Sequence, residues 1–248
     1  MNLLVTAGNT LVLIDRVRAI TNIFTGRTGA QIALHAHARG HAVTLLTSHP
    51  EAAAELHGGA LPSQRWAVVP YRTFDDLQAR MEECIRPSGL DAVVHCAAVS
   101  DYRADGVYAP APATHFDPQE RRWMSTGGAP LLEDRAAGKV KSSEPELWLR
   151  LVRTPKLVDR IRPQWGFAGI LVKFKLEVGV SDEELLRIAE ESRRQSQADL
   201  MVANTLEGAG VCAYLGPLGG GYQRLARRDL PARLLAEIER LHRGRTHG

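Results

Sequence analysis

Apolar residues fall along this chain in short unbroken runs, separated by stretches in which they recur at helical spacing. Leu3-Leu-Val-Thr6 is the first run and stops at Ala7-Gly8-Asn9-Thr10, as a strand entering a tight turn does. Ala42–Thr47, Trp66–Val69, Ala92–Ala97, Leu147–Val152, Phe167–Phe174, Leu200–Ala203 and Val211–Tyr214 read as further strands. Between them, Thr28–Arg39 sets Ile32 and Leu34 among alanines and ends before Gly40, which predicts a helix with a glycine stop. Phe74–Ile85, with Leu77, Met81 and Cys84 on one side, is a second predicted helix, and a short one is expected from Pro155. Ser181–Ser196 is a further helix, with Ser181 and Glu184 as a capping-box pair, and the last spans about Pro231–His242. Strands apolar on both faces and alternating with helices predict a parallel sheet covered on both sides. The expected fold class is α/β: one three-layer Rossmann-like domain with a mainly parallel sheet. Residues 102–138 break the rhythm, being rich in proline and glycine without a sustained period. So long an irregular stretch inside a domain predicts a functional flap.

Composition narrows this picture little. At 248 residues one domain is the expectation, with 44% hydrophobic and 24% charged residues, ordinary values for a soluble globular protein. A net charge of +3 is too small to call for nucleic acid or a membrane surface, and the basic tail Arg240–Gly248 reads as a solvated end. The three cysteines, Cys84, Cys96 and Cys212, are odd in number, far apart and without a CxxC pair. That argues for a reducing compartment and against a disulfide framework or zinc site. With no 18-residue apolar run and no signal-like start, a cytoplasmic protein without membrane partners is expected.

Open parallel α/β sheets bind ligands beyond the carboxyl ends of their strands, near a topological switch point. Polar residues just after strands therefore come first, in four clusters: 7–10, 98–101, 173–175 and 203–206. The first turn lacks G-x-G-x-x-G, and the second strand ends in Thr47-Ser48-His49 where a ribose-binding acid would stand. An NAD(P)-dependent oxidoreductase is thus only the lesser alternative. Gly26 and Gly29 flank Arg27 at the start of the first helix. Helix-terminal N–H groups there suit a phosphate or carboxylate. Equally, the glycines let the loop turn and the helix pack, with Asn22 in an Asx-turn. The residues by themselves leave both readings open.

"VTAGNT", "IDRVRAITNIFTGRTGAQIA", "RGHAVTLLT", "AAVSDY", "GKVKSS", "LVRTPKLVD" and "FKLEVGVSDEELLRIAEES…QADLMVAN" follow one another over roughly residues 3–206. In kind and order these segments resemble phosphopantothenate–cysteine ligases. With no flavin-binding decarboxylase half, the chain is most similar to the stand-alone members. The resemblance implies joining of 4′-phosphopantothenate to cysteine through an acyl-nucleotidyl anhydride, with CTP or ATP as co-substrate, Mg2+, and a homodimer. It implies that Lys139 meets the triphosphate, with Lys141 as the alternative in register. Asn22 would bind the acyl intermediate, and Arg18 would stand beside the substrate unless it only pairs with Asp15. Gly26, Arg27 and Gly29 would receive the substrate phosphate. Gly8, Ala98, Asp101, Phe174 and Lys175 would line the nucleotide site with Lys139. A non-catalytic homologue that binds nucleotide or phosphopantothenate is the alternative from another class.

The chain departs from the family pattern at defined places. Gly-Gly-Thr is Gly8-Asn9-Thr10, SSG is Phe24-Thr25-Gly26, and the asparagine–aspartate after a late strand is Asn204-Thr205. Ser192–Ser196 occupies a helix where many members carry lysines, with Arg193 or Arg194 as electrostatic substitutes.

Overall fold

The computed structural model describes residues 1–86 and 89–246. In chain order, β1 (Asn2–Ala7), β2 (Leu11–Leu13) and β3 (Ala19–Thr21) precede α1 (Arg27–Ala38), β4 (Ala42–Thr47) and α2 (Pro50–His57). Then come β5 (Trp66–Pro70), α3 (Phe74–Ile85), β6 (Ala92–His95), β7 (Tyr102–Pro110), β8 (Thr114–Asp117) and β9 (Arg122–Ser125). β10 (Leu132–Asp134), β11 (Trp148–Arg153), a 3-10 turn at Leu157–Arg160, β12 (Ile170–Glu177) and α4 (Asp182–Gln195) follow. β13 (Leu200–Thr205), β14 (Cys212–Leu218), β15 (Gly221–Ala226) and α5 (Leu230–Thr246) close the chain. The last two residues of the basic tail lie outside the described residues.

Two compact units are distinguished: residues 1–10, 23–99 and 156–248 in the first, 11–22 and 100–155 in the second. The first holds an eight-stranded sheet in the order β15-β14-β13-β12-β6-β1-β4-β5. β13 through β5 run parallel, and β14 and β15 are antiparallel. The fold is thus mixed α/β with a mainly parallel sheet. Its central strands are buried on both faces, which explains why they read as unbroken apolar runs. On one face Ile32, Ala33 and Ala36 of α1 and Leu234, Leu235 and Ile238 of α5 pack with Val5, Val94 and Val172. On the other, Leu77, Met81 and Ile85 of α3 pack with Leu4, Val93 and Leu171.

Two helix starts differ from the expectation. The Ser181 hydroxyl accepts from the Glu184 N–H (3.2 Å), but the Glu184 carboxylate accepts from Arg187 rather than closing the box. The complete capping box is at α3, between Thr73 and Asp76. α2 begins with a proline at its first turn, but its alanines give no apolar stripe to read. β15, an edge strand, is mostly exposed and so lacks an apolar run.

Lys173 and His95, buried in the sheet, both find partners. Lys173 Nζ donates to the Ser192 carbonyl (3.0 Å) and Ser196 Oγ (2.5 Å), and Ser196 Oγ donates to Asp159 (2.6 Å), tying the end of α4 down. Burial lowers the Lys173 ammonium to about 8. His95 Nδ1 lies 3.0 Å from Thr6 Oγ1. Burial first, and Lys173 second, lower the imidazole from 6.5 to about 4. Between those values the unfolded chain binds a proton that the folded chain refuses, so stability is lost as pH falls from 6.5 toward 4. Urea unfolding at pH 7 and pH 4.5 should therefore show a steeper loss for the wild type than for His95→Gln, by up to about 3 kcal/mol. Equal losses would remove His95 as the cause.

The second unit contains the sheet β10-β7-β11 and the hairpins β2-β3 and β8-β9. Residues 102–138, expected to lack regular structure, hold four of these strands. In the hairpin β8-β9, Phe116 and Trp123 meet each other at 5.4 Å between centroids and meet Trp148 at 4.8 and 4.5 Å, in tilted and edge-on contacts. Strands of three or four residues bounded by prolines are too short to show a period, and an aromatic trio drawn from three strands is a tertiary signal.

Candidate functional site

In the first unit the chain leaves β1 through α1 for β4 on one side, while β6 flanks β1 on the other. The ends of β1 and β6 are therefore the switch point, where an open sheet leaves a crevice. The loops beyond them are joined: the Ala98 N–H donates to the Gly8 carbonyl (2.8 Å), and the Thr10 N–H to the Ala98 carbonyl (3.3 Å). Gly8 has φ +88°, and a Cβ there would stand 2.2 Å from Ser48 Oγ. Asn9 donates its N–H to Ser48 Oγ (2.9 Å) and accepts from that hydroxyl through Oδ1 (3.2 Å). The left-handed residue of this turn is Gly8, so an asparagine fits at 9 without strain.

Gly26 caps α1 with φ 75°. A Cβ on it would stand 2.3 Å from the Gly8 nitrogen, and one on Gly29 2.7 Å from the Ala7 Cβ. Both glycines are thus needed for α1 to close on the end of β1, which satisfies the packing reading. That closure leaves the first turn of α1 at the carboxyl edge of the sheet, with the Gly29 N–H turned onto the Cys96 thiol. Arg27 pairs with Glu55 (3.0 Å), with 54% and 61% of the side chains exposed. So exposed a pair contributes about 1 kcal/mol or less and does not commit the guanidinium. Ile23 is 83% exposed and Phe24 37%; no contact in the structure explains why apolar residues stand there.

Arg227, which stands in no motif, reaches the same helix start. Its Nη2 donates to Thr28 Oγ1, and its Nη1 is buried with no hydrogen-bond partner among the described residues. Burial lowers the guanidinium from its ordinary value. A separation of 199 residues from Thr28 leaves no local signal in the sequence. Burial also pushes the nearby Cys96 thiol up to about 12, against Arg227 and the Gly29 N–H, so Cys96 is no nucleophile near neutrality.

Phe174 packs on the α1 face of the sheet, beside the same core as Ala7 and Ala30. Residues 173–175 lie inside β12 rather than beyond its end. Lys175 pairs with Glu177 (2.8 Å), and Asn204 is buried. Thr205 Oγ1 accepts from the Gly208 N–H (3.1 Å), closing the turn that an aspartate would close more strongly. Arg193 is committed elsewhere, forked onto Glu190 and donating to the Ala198 carbonyl. Arg194 shares Glu190 but keeps 74% of its side chain exposed.

The second unit carries Arg18, Asn22, Asp101, Lys139 and Lys141. Arg18 makes the salt bridge weighed as its structural role: Nε and Nη2 lie 3.0 and 2.6 Å from Asp15 Oδ2. Yet 42% of its side chain stays exposed, so that bridge does not withdraw it from a ligand. The Arg18 guanidinium, followed by backbone N–H donors, holds the Asp15 carboxyl far below the usual range, so it is ionised at any working pH. Asn22 follows β3 and is half-buried. Asp101 is exposed, and its carbonyl accepts from the Thr154 N–H (2.9 Å). Lys139 and Lys141 are both exposed and flank the buried Val140. Lys139 makes no hydrogen bond or ion pair among the described residues. Lys141 lines a cavity of about 330 Å3 with Arg135 and Glu144.

Among the described residues no group of three or more His, Cys, Asp or Glu side chains is arranged to hold a metal ion. The donors present therefore do not fit a protein-built Mg2+ cage. No described helix is long and apolar enough to cross a membrane.

A family model for the DNA/pantothenate metabolism flavoprotein C-terminal domain matches residues 1–110. The chain is 32% identical over 244 residues to the coenzyme A biosynthesis bifunctional protein CoaBC of Thermococcus kodakarensis, covering 96% of this chain and 51% of that protein. It spans about half the length of the curated relatives it matches, or less. The crystal structure of the DNA/pantothenate metabolism flavoprotein from Streptococcus pneumoniae is similar at a TM-score of 0.76 and 25% identity, over 98% of this chain and 100% of that one. A Cab2 mutant in complex with phosphopantothenate-cysteine shares the fold at a TM-score of 0.70 and 17% identity, over 98% of this chain and 86% of that one. Over residues 1–110 the chain thus matches the DNA/pantothenate metabolism flavoprotein C-terminal domain, and nearly all of it is similar to about half of CoaBC.

Proposed function

We propose that this chain joins 4′-phosphopantothenate to cysteine. In the first step a substrate carboxylate oxygen attacks the α-phosphorus of CTP or ATP, and pyrophosphate leaves. In the second the cysteine amine attacks the acyl carbon, an amide forms, and the nucleoside monophosphate departs with the acyl oxygen. The observation that supports this reading best is the build of the first unit's carboxyl edge. The α1 start closes onto Gly8 at the switch point, as a site for a phosphorylated ligand requires.

The roles follow from side-chain chemistry. Gly8, Ala98, Asp101, Phe174 and Lys175 take the nucleotide, Asp101 as hydrogen-bond acceptor and Phe174 as apolar wall. Gly26, Arg27 and Gly29 take the substrate phosphate. Lys139 supplies a positive charge for the first step, where negative charge lies on the oxygens of the transferring phosphoryl group and builds on the departing pyrophosphate. Arg18 stands beside the substrate, and the Asn22 amide donates to the acyl oxygen while the amine attacks. When bound, Mg2+ would screen the triphosphate's charge; it would come with the nucleotide. The working form is a homodimer in the cytoplasm.

The reaction is tested by pyrophosphate release with CTP and with ATP in the presence of phosphopantothenate, then with cysteine added. Release with one nucleotide, followed by amide formation, is expected. No release with either overturns the ligase reading; nucleotide binding without release would leave a binding protein. Asn22→Asp should keep pyrophosphate release within about threefold and slow the amide step by roughly 10²–10³-fold. Equal loss of both steps would refute the division of roles.

A further inference from the structure

The β2-β3 hairpin does more than present Arg18. Its turn is closed on itself: the Asp15 Oδ1 accepts from the N–H groups of Val17 and Arg18, both at 2.8 Å, and the Arg18 carbonyl accepts from the Ile14 N–H (2.9 Å). From this turn three hydrogen bonds reach a segment more than 120 residues away. The Arg16 N–H donates to the Gly138 carbonyl (3.1 Å). The Val140 N–H donates to Asp15 Oδ2 (3.1 Å), and Arg18 Nη2 donates to the Val140 carbonyl (2.7 Å). Both backbone polar groups of Val140 are satisfied by one ion pair, and its side chain is 2% exposed. Lys139 lies between the two pinned residues, with its own side chain exposed.

We propose that Asp15 and Arg18 are positioning residues that clamp the Val140 backbone and thereby fix where Lys139 projects. The part of this inference that concerns catalysis rests on the reading of Lys139 given above; the clamp itself does not. Asp15 holds the fork of Arg18 in place, and the fork and the carboxylate together hold one peptide on each side of Val140. With the carbonyl before Lys139 and both polar groups after it fixed, the direction of its Cα–Cβ bond is set. A long cation that must meet developing charge gains from this, because a misplacement of about 1 Å costs about 10²-fold. An ion pair serving only the hairpin would have no need of the Val140 carbonyl and N–H.

The test uses Asp15→Asn in the full chain, with limited trypsin digestion followed by mass spectrometry. Cleavage after Lys139 and Lys141 should quicken at least about tenfold over the unmodified chain, with cleavage at sites in residues 23–99 and 156–246 little changed. Unchanged cleavage at these two bonds overturns the clamp. In the pyrophosphate assay, kcat should fall roughly 10–100-fold while the KM for nucleotide stays within about threefold. On a Lys139→Gln background, Asp15→Asn should subtract nothing further, since its effect passes through Lys139. A raised KM with unchanged kcat, or full additivity, overturns the positioning role. Should Asp15→Asn fail to fold, Asp15→Glu, which keeps the charge and moves the carboxylate by one methylene, carries the same comparison. If the unmodified chain releases no pyrophosphate, the ligase reading fails, and the trypsin comparison still decides the clamp.

Discussion

Lys139→Gln should abolish pyrophosphate release, by at least about 10²–10³-fold in kcat, the effect expected when a group that stabilises transition-state charge is removed. Glutamine keeps much of the length and the hydrogen-bonding capacity but not the charge. The test therefore asks for the charge itself. Lys139 is exposed and makes no ion pair among the described residues, so its loss should leave Tm within about 1 °C. Lys141 is the internal control. It is two residues on, equally exposed, and lines the cavity beside Arg135 and Glu144. Lys141→Gln should keep kcat within about threefold. Interchanged results would show that the register of this segment is shifted by two and make Lys141 the reacting residue. Losses of equal size in both variants would mean that a general positive field is at work.

Gly26→Ala should unfold the chain at markedly lower temperature and remove pyrophosphate release with it. Two costs coincide at this position. An L-residue must hold φ 75°, and its Cβ would press to 2.3 Å from the Gly8 nitrogen and 2.8 Å from the Gly8 Cα. Backbone atoms cannot rotate away as the end of a side chain can, so α1 or the turn after β1 must move. The conformational and overpacking costs together come to about 2–5 kcal/mol, a fall in Tm of roughly 5–20 °C for a chain of this size. Gly40→Ala separates the two contributions. Gly40 has φ +88° but nothing within 4 Å of the added Cβ, so only the conformational part, about 1–2 kcal/mol, should be lost. Equal Tm values for the two variants would show that α1 does not press against β1, and would remove the packing requirement for Gly26.

The chain's own residue pattern decided a good deal. Ala42–Thr47 and Phe74–Ile85 are legible to the residue because strand β4 is made of apolar and β-branched residues and α3 has a clean stripe between Thr73 and Arg86. The glycine at 26 was visible as a helix start, and its spacing from Gly29 suggested an anion or a close approach. Sequence left those two readings level. The structure supplies the close approach as a distance, because only the folded chain brings residue 26 against residue 8. Likewise Asn9, a departure from the family pattern, becomes understandable once Ser48 is seen beside it. Ile23 and Phe24 remain unexplained by any contact.

The sequence by itself determined the alternation of strand and helix, a resemblance carried by motifs, and the residue types at the strand ends, since each rests on a local period or on short motifs in order. Only the tertiary structure decided the rest. It paired Asp15 and Arg18 with Val140, brought Arg227 to Thr28, turned Arg193 onto Glu190, and gathered Phe116, Trp123 and Trp148. Most of these contacts span from 25 to about 200 residues of chain and depend on which side chains are buried together. Periodicity reports only which face of an element turns inward, and says nothing of which distant polar group will be waiting there.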